Sequence, residues 1–310
     1  MANSTTTANI TAKALTASGL SGVNKTYDGT TTASLTGSAA LQATESAGAG
    51  TTSDGKPYSV DSVSISGTAT GTFTDRNVAD ARTINISGLS LTGTGYGNYT
   101  LTAPTTSANI TAKALTQSGL SVPASKTYDG TTTATVNGTS ALQASETAGT
   151  GTTSDGKPYT GDTVSITGTA VGTYNDAHVA SASSVSFSGL SLTGAQSGNY
   201  SLTSYSPASA TITAATLTPT ISNSSVTKVY DGSTTSTFTP TYTFSGLVSG
   251  DTDATLTNTS KTYNSKDVAS ANTVTVSGLS ISGITGNKSS ATTDRKSTRL
   301  NSSHRCISYA

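Results

Sequence analysis

Lys25-Thr-Tyr-Asp-Gly-Thr-Thr-Thr-Ala33 returns unchanged as Lys126 to Ala134, and in looser form as Lys228-Val-Tyr-Asp-Gly-Ser-Thr-Thr235. Segments recurring at a fixed period identify a repeat architecture before any single residue is given a role. Working outward, Ala8-Asn-Ile-Thr-Ala-Lys-Ala-Leu-Thr16 returns as Ala108 to Thr116 and survives as Ala210-Thr-Ile-Thr213. Thr51-Thr-Ser-Asp-Gly-Lys-Pro-Tyr58 recurs as Thr152 to Tyr159 and is missing from the third copy, so it reads as an inserted loop or hairpin that the fold does not require. The period, about a hundred residues, suits a sandwich-sized domain and far exceeds a solenoid coil.

Within each copy the apolar residues alternate, as in Val63 and Ile65, Ile84 and Ile86, and Val274 and Val276. Period-two alternation in Thr- and Val-rich runs, broken by Gly, Asn and Asp, predicts strands and tight turns. The inward parity slips at Gly88, Gly189 and Gly278, each followed by Leu, Ser and an apolar residue. A β-bulge or a strand crossing between sheets restores it. Tyr27-Asp-Gly29, Tyr128-Asp-Gly130 and Tyr230-Asp-Gly232 predict turns, the Gly supplying positive φ and the Asp accepting backbone N–H bonds. Gly97-Asn-Tyr-Thr-Leu-Thr102 and Gly198-Asn-Tyr-Ser-Leu-Thr203 open closing strands whose Tyr and Leu share a face. The expected fold is all-β, tandem Ig-like sandwich-type repeats in an elongated array, each copy enclosing its own interior. If each unit has strands of about ten residues, three units in line span about 100 Å.

With 16 basic and 16 acidic side chains, the chain has no net field to draw it to nucleic acid or an anionic membrane. The same neutrality, together with the alternation, argues for an ordered chain despite few large apolar residues. No stretch reaches the roughly 20 apolar residues of a membrane-spanning helix. One cysteine, Cys306, excludes an intramolecular disulfide framework.

No residue set suggests catalysis. His178 stands where the other copies have Asn77 and Asp267, which a catalytic base would not tolerate. There is no nucleophile elbow, phosphate loop, zinc ligand set or dinucleotide fingerprint. Asp251 with Asp253, Asp75 with Asp80, and Asp162 with Asp176 are thin candidates for Ca²⁺, which wants six to eight oxygens. Lys25, Lys126 and Lys228 are recurring candidates for an intramolecular Lys–Asn bond, which needs a buried acid partner. The Asn-x-Ser/Thr triplets at Asn85, Asn98, Asn109 and Asn199 are expected by chance in so Thr-rich a chain. No catalytic, cofactor or metal residue is therefore assigned, and no ligand-binding residue is identified.

The ordered set Lys-Thr-Tyr-Asp-Gly-Thr-Thr, Ser-Gly-Leu-Ser-Leu-Thr-Gly, Gly-Asn-Tyr-x-Leu-Thr and Ala-x-Ile-Thr resembles the YDG-type repeat of large bacterial filamentous-haemagglutinin-like proteins. The resemblance covers nearly all of residues 8 to 293. It implies a secreted, surface-displayed Gram-negative adhesin, often exported by a two-partner route, whose tandem β domains hold a distal binding region away from the cell. The expected role is that of a non-enzymatic stalk or spacer. The alternative is a carbohydrate- or host-receptor-binding module, for which Tyr58 and Tyr159 are the residues to test. Partners, a host-cell glycan or protein or another bacterial cell, are expected through regions outside this chain, with no nucleic acid and no membrane span, and the chain itself as a monomer.

The expected division is 1–12 as the tail of a preceding repeat, then repeats at 13–112 and 113–214. A truncated repeat follows at 215–293, where Lys288 replaces the closing tyrosine. Asp294 to Ala310 reads as a translated sequencing adapter, Asp-Arg-Lys-Ser-Thr-Arg-Leu-Asn-Ser-Ser-His304 matching it codon by codon.

Overall fold

The computed structural model describes residues 3–179, 181–223 and 225–286. The readings of Lys288 and of residues 294–310 fall outside them. The fold is all-β with repeats, its helical content limited among the described residues to 3-10 turns at Tyr96–Asn98 and Ser197–Asn199.

The first copy forms β1 (Lys13–Gly22), β2 (Lys25–Thr26), β3 (Thr32–Ala33), β4 (Leu35–Leu41), β5 (Ser62–Phe73), β6 (Ala79–Thr94), β7 (Tyr99–Thr102) and β8 (Thr105–Thr111). One sheet runs in the order β4-β1-β7 and another in the order β2-β8-β6-β5-β3. The closing strand β7 lies parallel to β1, Lys13 opposite Tyr99 and Leu15 opposite Leu101, and β2 lies parallel to β8. The second copy repeats the pattern. Its β9 (Lys113–Leu115) pairs in parallel with Tyr200–Leu202, and Ser125–Thr127 pairs in parallel with Thr211–Thr213.

The parity slip resolves as a bulge. Gly67 pairs with Leu89 and Thr70 with Ser87, so two residues of β5 oppose the single Gly88. Gly88 has φ 80°, and a Cβ there would run into the Thr68 carbonyl oxygen. Ile84 and Ile86 before it are buried, and Leu89 after it packs on the same core.

The chain divides into two compact units. The first comprises Met1–Ser118, Ser140–Gly168 and Leu190–Thr203; the second comprises Gly119–Thr139, Thr169–Gly189 and the chain from Ser204 onward. The first unit's core combines Tyr27, Phe73, Ile84, Ile86 and Ile110 of the first copy with Leu115, Tyr159 and Tyr200 of the second. The second unit's core combines Tyr128, Tyr174, Val185 and Ile212 of the second copy with Ala215 and Val248 of the third. Both of these interiors are thus shared by consecutive copies, and a smaller cluster of Leu217, Ala254, Phe244 and Leu247 lies within the third copy, where the alternation alone suggested one interior per copy. Alternation specifies which face is apolar, and it is silent on which copy covers that face.

Candidate functional site: the joint between copies

The Tyr-Asp-Gly turn is built the same way three times. Asp28 accepts the Thr30 N–H at 2.8 Å, Gly29 takes φ 76°, and Lys25 Nζ donates to Asp28 Oδ1 at 2.7 Å and to the carbonyls of Thr30 and Thr32 at 2.8 and 3.0 Å. Lys126 meets Asp129 at 2.7 Å and Lys228 meets Asp231 at 2.8 Å in the same arrangement. The lysine clamps the loop after the glycine, and the turn thrusts its tyrosine outward from the sheet end.

In the first unit that tyrosine enters a socket made by the next copy. The Tyr27 ring lies 5.3 Å from Tyr200, edge to face, and 5.8 Å from Tyr159. Both geometries suit the ring quadrupole. The Tyr27 and Tyr200 hydroxyls donate to the same oxygen, Asp162 Oδ2, at 2.8 and 2.6 Å, and Arg76 donates to Asp162 Oδ1 at 2.8 Å. Burial and then the bond to Asp162 push both hydroxyls above the ordinary tyrosine range. The Asp162 side chain is wholly buried, which is tolerable because its lone pairs are filled by two hydroxyls and a guanidinium. Around this centre Asn199 donates to Asn77 Oδ1 at 2.7 Å and accepts the Val78 N–H at 2.9 Å, while the Gly149 N–H donates to the Asp28 carbonyl at 2.9 Å. A Cβ on Gly29 would lie 2.7 Å from Ala148 Cβ, so this glycine serves both the turn and the close approach.

The second unit repeats the joint in shorter form, Tyr128 donating to Asp251 Oδ1 at 3.1 Å. Asp61, Asp162 and Asp251 occupy one repeat position, each twelve residues before an aromatic, Phe73, Tyr174 or Tyr263. Sequence reading placed Asp162 and Asp251 in separate candidate Ca²⁺ pairs and left Asp61 aside. The shared spacing was the signal that could have united them.

Beneath the socket sits a buried ion cluster. Lys113, with no exposed surface, donates to Glu146 at 2.6 Å, meets Asp155 at 3.0 Å and lies 4.0 Å from the centre of the Tyr159 ring. Lys13 meets Glu45 at 2.5 Å, Asp54 at 2.9 Å and the Tyr58 ring at 4.1 Å in the same way. Burial alone would pull Lys113 down, but the bonds to Glu146 and Asp155 outweigh it and hold the amine above its usual range. Asp155, raised by burial, is carried well below the usual carboxylate range by the Lys157 N–H and by Lys113. The inserted loop supplies Asp54 and Tyr58, or Asp155 and Tyr159. In the third copy the loop is absent, and Ala215 stands in the position of Lys113. A buried amine without its acids is costly, so loop and lysine go together.

The remaining sequence candidates have local duties. Asp75 accepts the Asn77 N–H at 2.9 Å and Asp176 binds the His178 N–H and ring, so neither is assembled with other carboxylates into an ion site. Lys25, Lys126 and Lys228 bind their own turns, whereas the buried lysines, each with two half-buried acid partners, are Lys13 and Lys113, which sequence reading passed over. Tyr159 is walled into the joint and cannot stack on a sugar while the joint is closed. Among the described residues no group of three or more His, Cys, Asp or Glu could hold a metal ion, and no helix is long and apolar enough to cross a membrane.

Strands throughout, a repeat near a hundred residues and a tyrosine turn passed from one copy into the next define a tandem-repeat β protein. The YDG domain model matches residues 11–108, 111–210 and 213–292, and the chain belongs to that family, with three copies. No curated protein and no solved structure matches it.

Proposed function

We propose that the chain is a non-enzymatic spacer segment of a bacterial surface adhesin, its copies locked head to tail so that the array holds a binding region away from the cell. The observation that carries this reading is the joint. A stalk must transmit load from copy to copy, and a buried carboxylate bonded to tyrosines of two copies, surrounded by apolar rings, resists separation better than a flexible linker. The Ser- and Thr-rich, nearly neutral surface supports it as well, because it solvates a long exposed structure without attracting polyions. Display on a Gram-negative surface is what the resemblance to filamentous-haemagglutinin-like repeats implies.

Small-angle scattering of the full chain tests the spacer. An elongated particle whose length grows with copy number is expected, and a compact globule of three collapsed copies would sink the reading. Surface display is checked by protease accessibility of the native protein on intact cells. Protection of the repeats until the outer membrane is breached would contradict it.

A further inference from the structure

We propose that Lys113 and Asp155 condense into an intramolecular amide bond, with Glu146 carrying the protons, and that Lys13, Asp54 and Glu45 do the same in the first copy. The cross-link goes beyond the spacer role and does not depend on it.

Three separate segments bring the groups together. Lys113 is held in β9 by its pairing with Tyr200–Leu202. Glu146 is fixed where its N–H donates to the Pro158 carbonyl at 2.9 Å and its own carbonyl accepts the Thr160 N–H at 2.6 Å. Asp155 is held in the inserted loop by the Lys157 N–H, which donates to Oδ1 at 3.0 Å. The Lys113 amine thus stands 2.6 Å from Glu146 Oε1 and 3.0 Å from Asp155 Oδ1, against the buried ring of Tyr159. The second oxygens of the two acids also converge, because a Cβ on Gly151 would press on both Glu146 Oε2 and Asp155 Oδ2. At Lys13 the arrangement is the same, with Gly50 against Glu45 Oε2 and Asp54 Oδ2.

An ion pair needs one acid for one amine, and each of these amines has two. The second acid is placed as a relay, one oxygen on the nucleophile and the other turned toward the carboxyl to be attacked. Glu146 takes a proton from the Lys113 ammonium and passes it to Asp155, leaving a neutral amine beside a neutral acid. The amine nitrogen then adds to Asp155 Cγ. Glu146 moves a second proton from that nitrogen to the departing oxygen, and the C–O bond breaks with loss of one water. An ammonium and a carboxylate become an amide and water, nothing is oxidised or reduced, and Glu146 ends as it began. Groups held at contact react as if at about 10⁵–10⁸ M, and the Tyr159 ring keeps out the water that would reverse the step. A neutral amide also replaces a buried ion pair that is costly to keep. The bonds to both acids favour the ammonium, so the reactive amine is a minor form and closure is slow, but it is needed only once per molecule. Asp155 titrates, and Lys113 acts as a cation, in the freshly folded chain before closure.

Intact-mass spectrometry of the full chain under denaturing conditions, followed from purification through prolonged incubation of the folded protein at neutral pH, tests this. A deficit that reaches two waters is expected. Digestion should then yield a branched peptide joining Lys113 to Asp155, uncut by trypsin at Lys113, and a second joining Lys13 to Asp54. A chain that keeps its full mass overturns the proposal. So does water lost only within linear peptides, since Asp155 precedes Gly156 and can close on that backbone nitrogen instead. Lys113→Arg and Glu146→Gln chains with native circular dichroism are each expected to lose one water, at the Lys13 site alone. Loss of two waters from either variant overturns the role given to the residue replaced.

Discussion

At the scale of the residue, one side chain type meets three surroundings at one repeat position. Tyr27 donates into a buried carboxylate, Tyr128 into a partly covered one, and Tyr230 stands in solvent. Deleting a hydroxyl costs in proportion to the burial of the partner left behind. Tyr27→Phe is therefore expected to lower stability by about 1–2 kcal/mol, and Tyr230→Phe to stay within about 0.5 kcal/mol in dilute solution, measured by urea denaturation. Lys113 poses a different problem, because removing it strands two acids beside a buried ring. Lys113→Ala alone is expected to cost about 3 kcal/mol, whereas the triple variant with Glu146→Ala and Asp155→Ala should cost less than the sum of the three single changes. The third copy already embodies that outcome, with Ala215 and no loop. A double-mutant cycle that proved additive would refute the coupling.

At the scale of the element, the turn and the bulge account for the conserved rhythm of glycine within the chain. Gly29 and Gly232 share a left-handed φ, which costs any other residue about 1–2 kcal/mol, but Gly29 also faces Ala148 Cβ. Gly29→Ala is thus expected to lower the thermal midpoint of the first unit more than Gly232→Ala lowers that of the second. Equal effects would mean that the turn matters and the close approach does not. The bulge opposite Gly88 does similar work within the sheet. By inserting one extra residue on β5, it keeps both Ile84 and Leu89 on the core face, so a long strand pair remains useful over its whole length.

At the scale of the molecule, cores shared between consecutive copies make neighbours interdependent, and pH is the lever that reads this out. The Tyr27 and Tyr200 hydroxyls titrate above the ordinary tyrosine value of 10.0 when folded, so their contribution is complete below 10.0 and is lost as pH rises through the elevated folded values. Asp155 titrates below its ordinary 3.8, so its contribution is present above 3.8 and fades as pH falls through the depressed folded value. Stability measured against pH should therefore decline above 10.0, and Asp162→Ala should flatten that alkaline decline. An unaltered alkaline profile in that variant would mean that burial, and not the bond to Asp162, sets the decline.

Much of this was legible along the chain. The repeat period, strands and turns and the parity slip at Gly88 follow from local chemistry, since alternation marks an apolar face and glycine marks a left-handed φ without reference to distant residues, and the family follows from a resemblance of motifs. The joint was not, since Tyr27 and Asp162 lie 135 residues apart and nothing in either segment names the other. The same holds for Lys113, whose charge argues locally for solvent and whose burial depends on Glu146, 33 residues on, and on Asp155 in the inserted loop. Sequence by itself determined the repeating β unit because backbone preference and face polarity are local quantities. Only the tertiary structure decided which copy completes which core, because that choice is made by the pairing of surfaces across the chain.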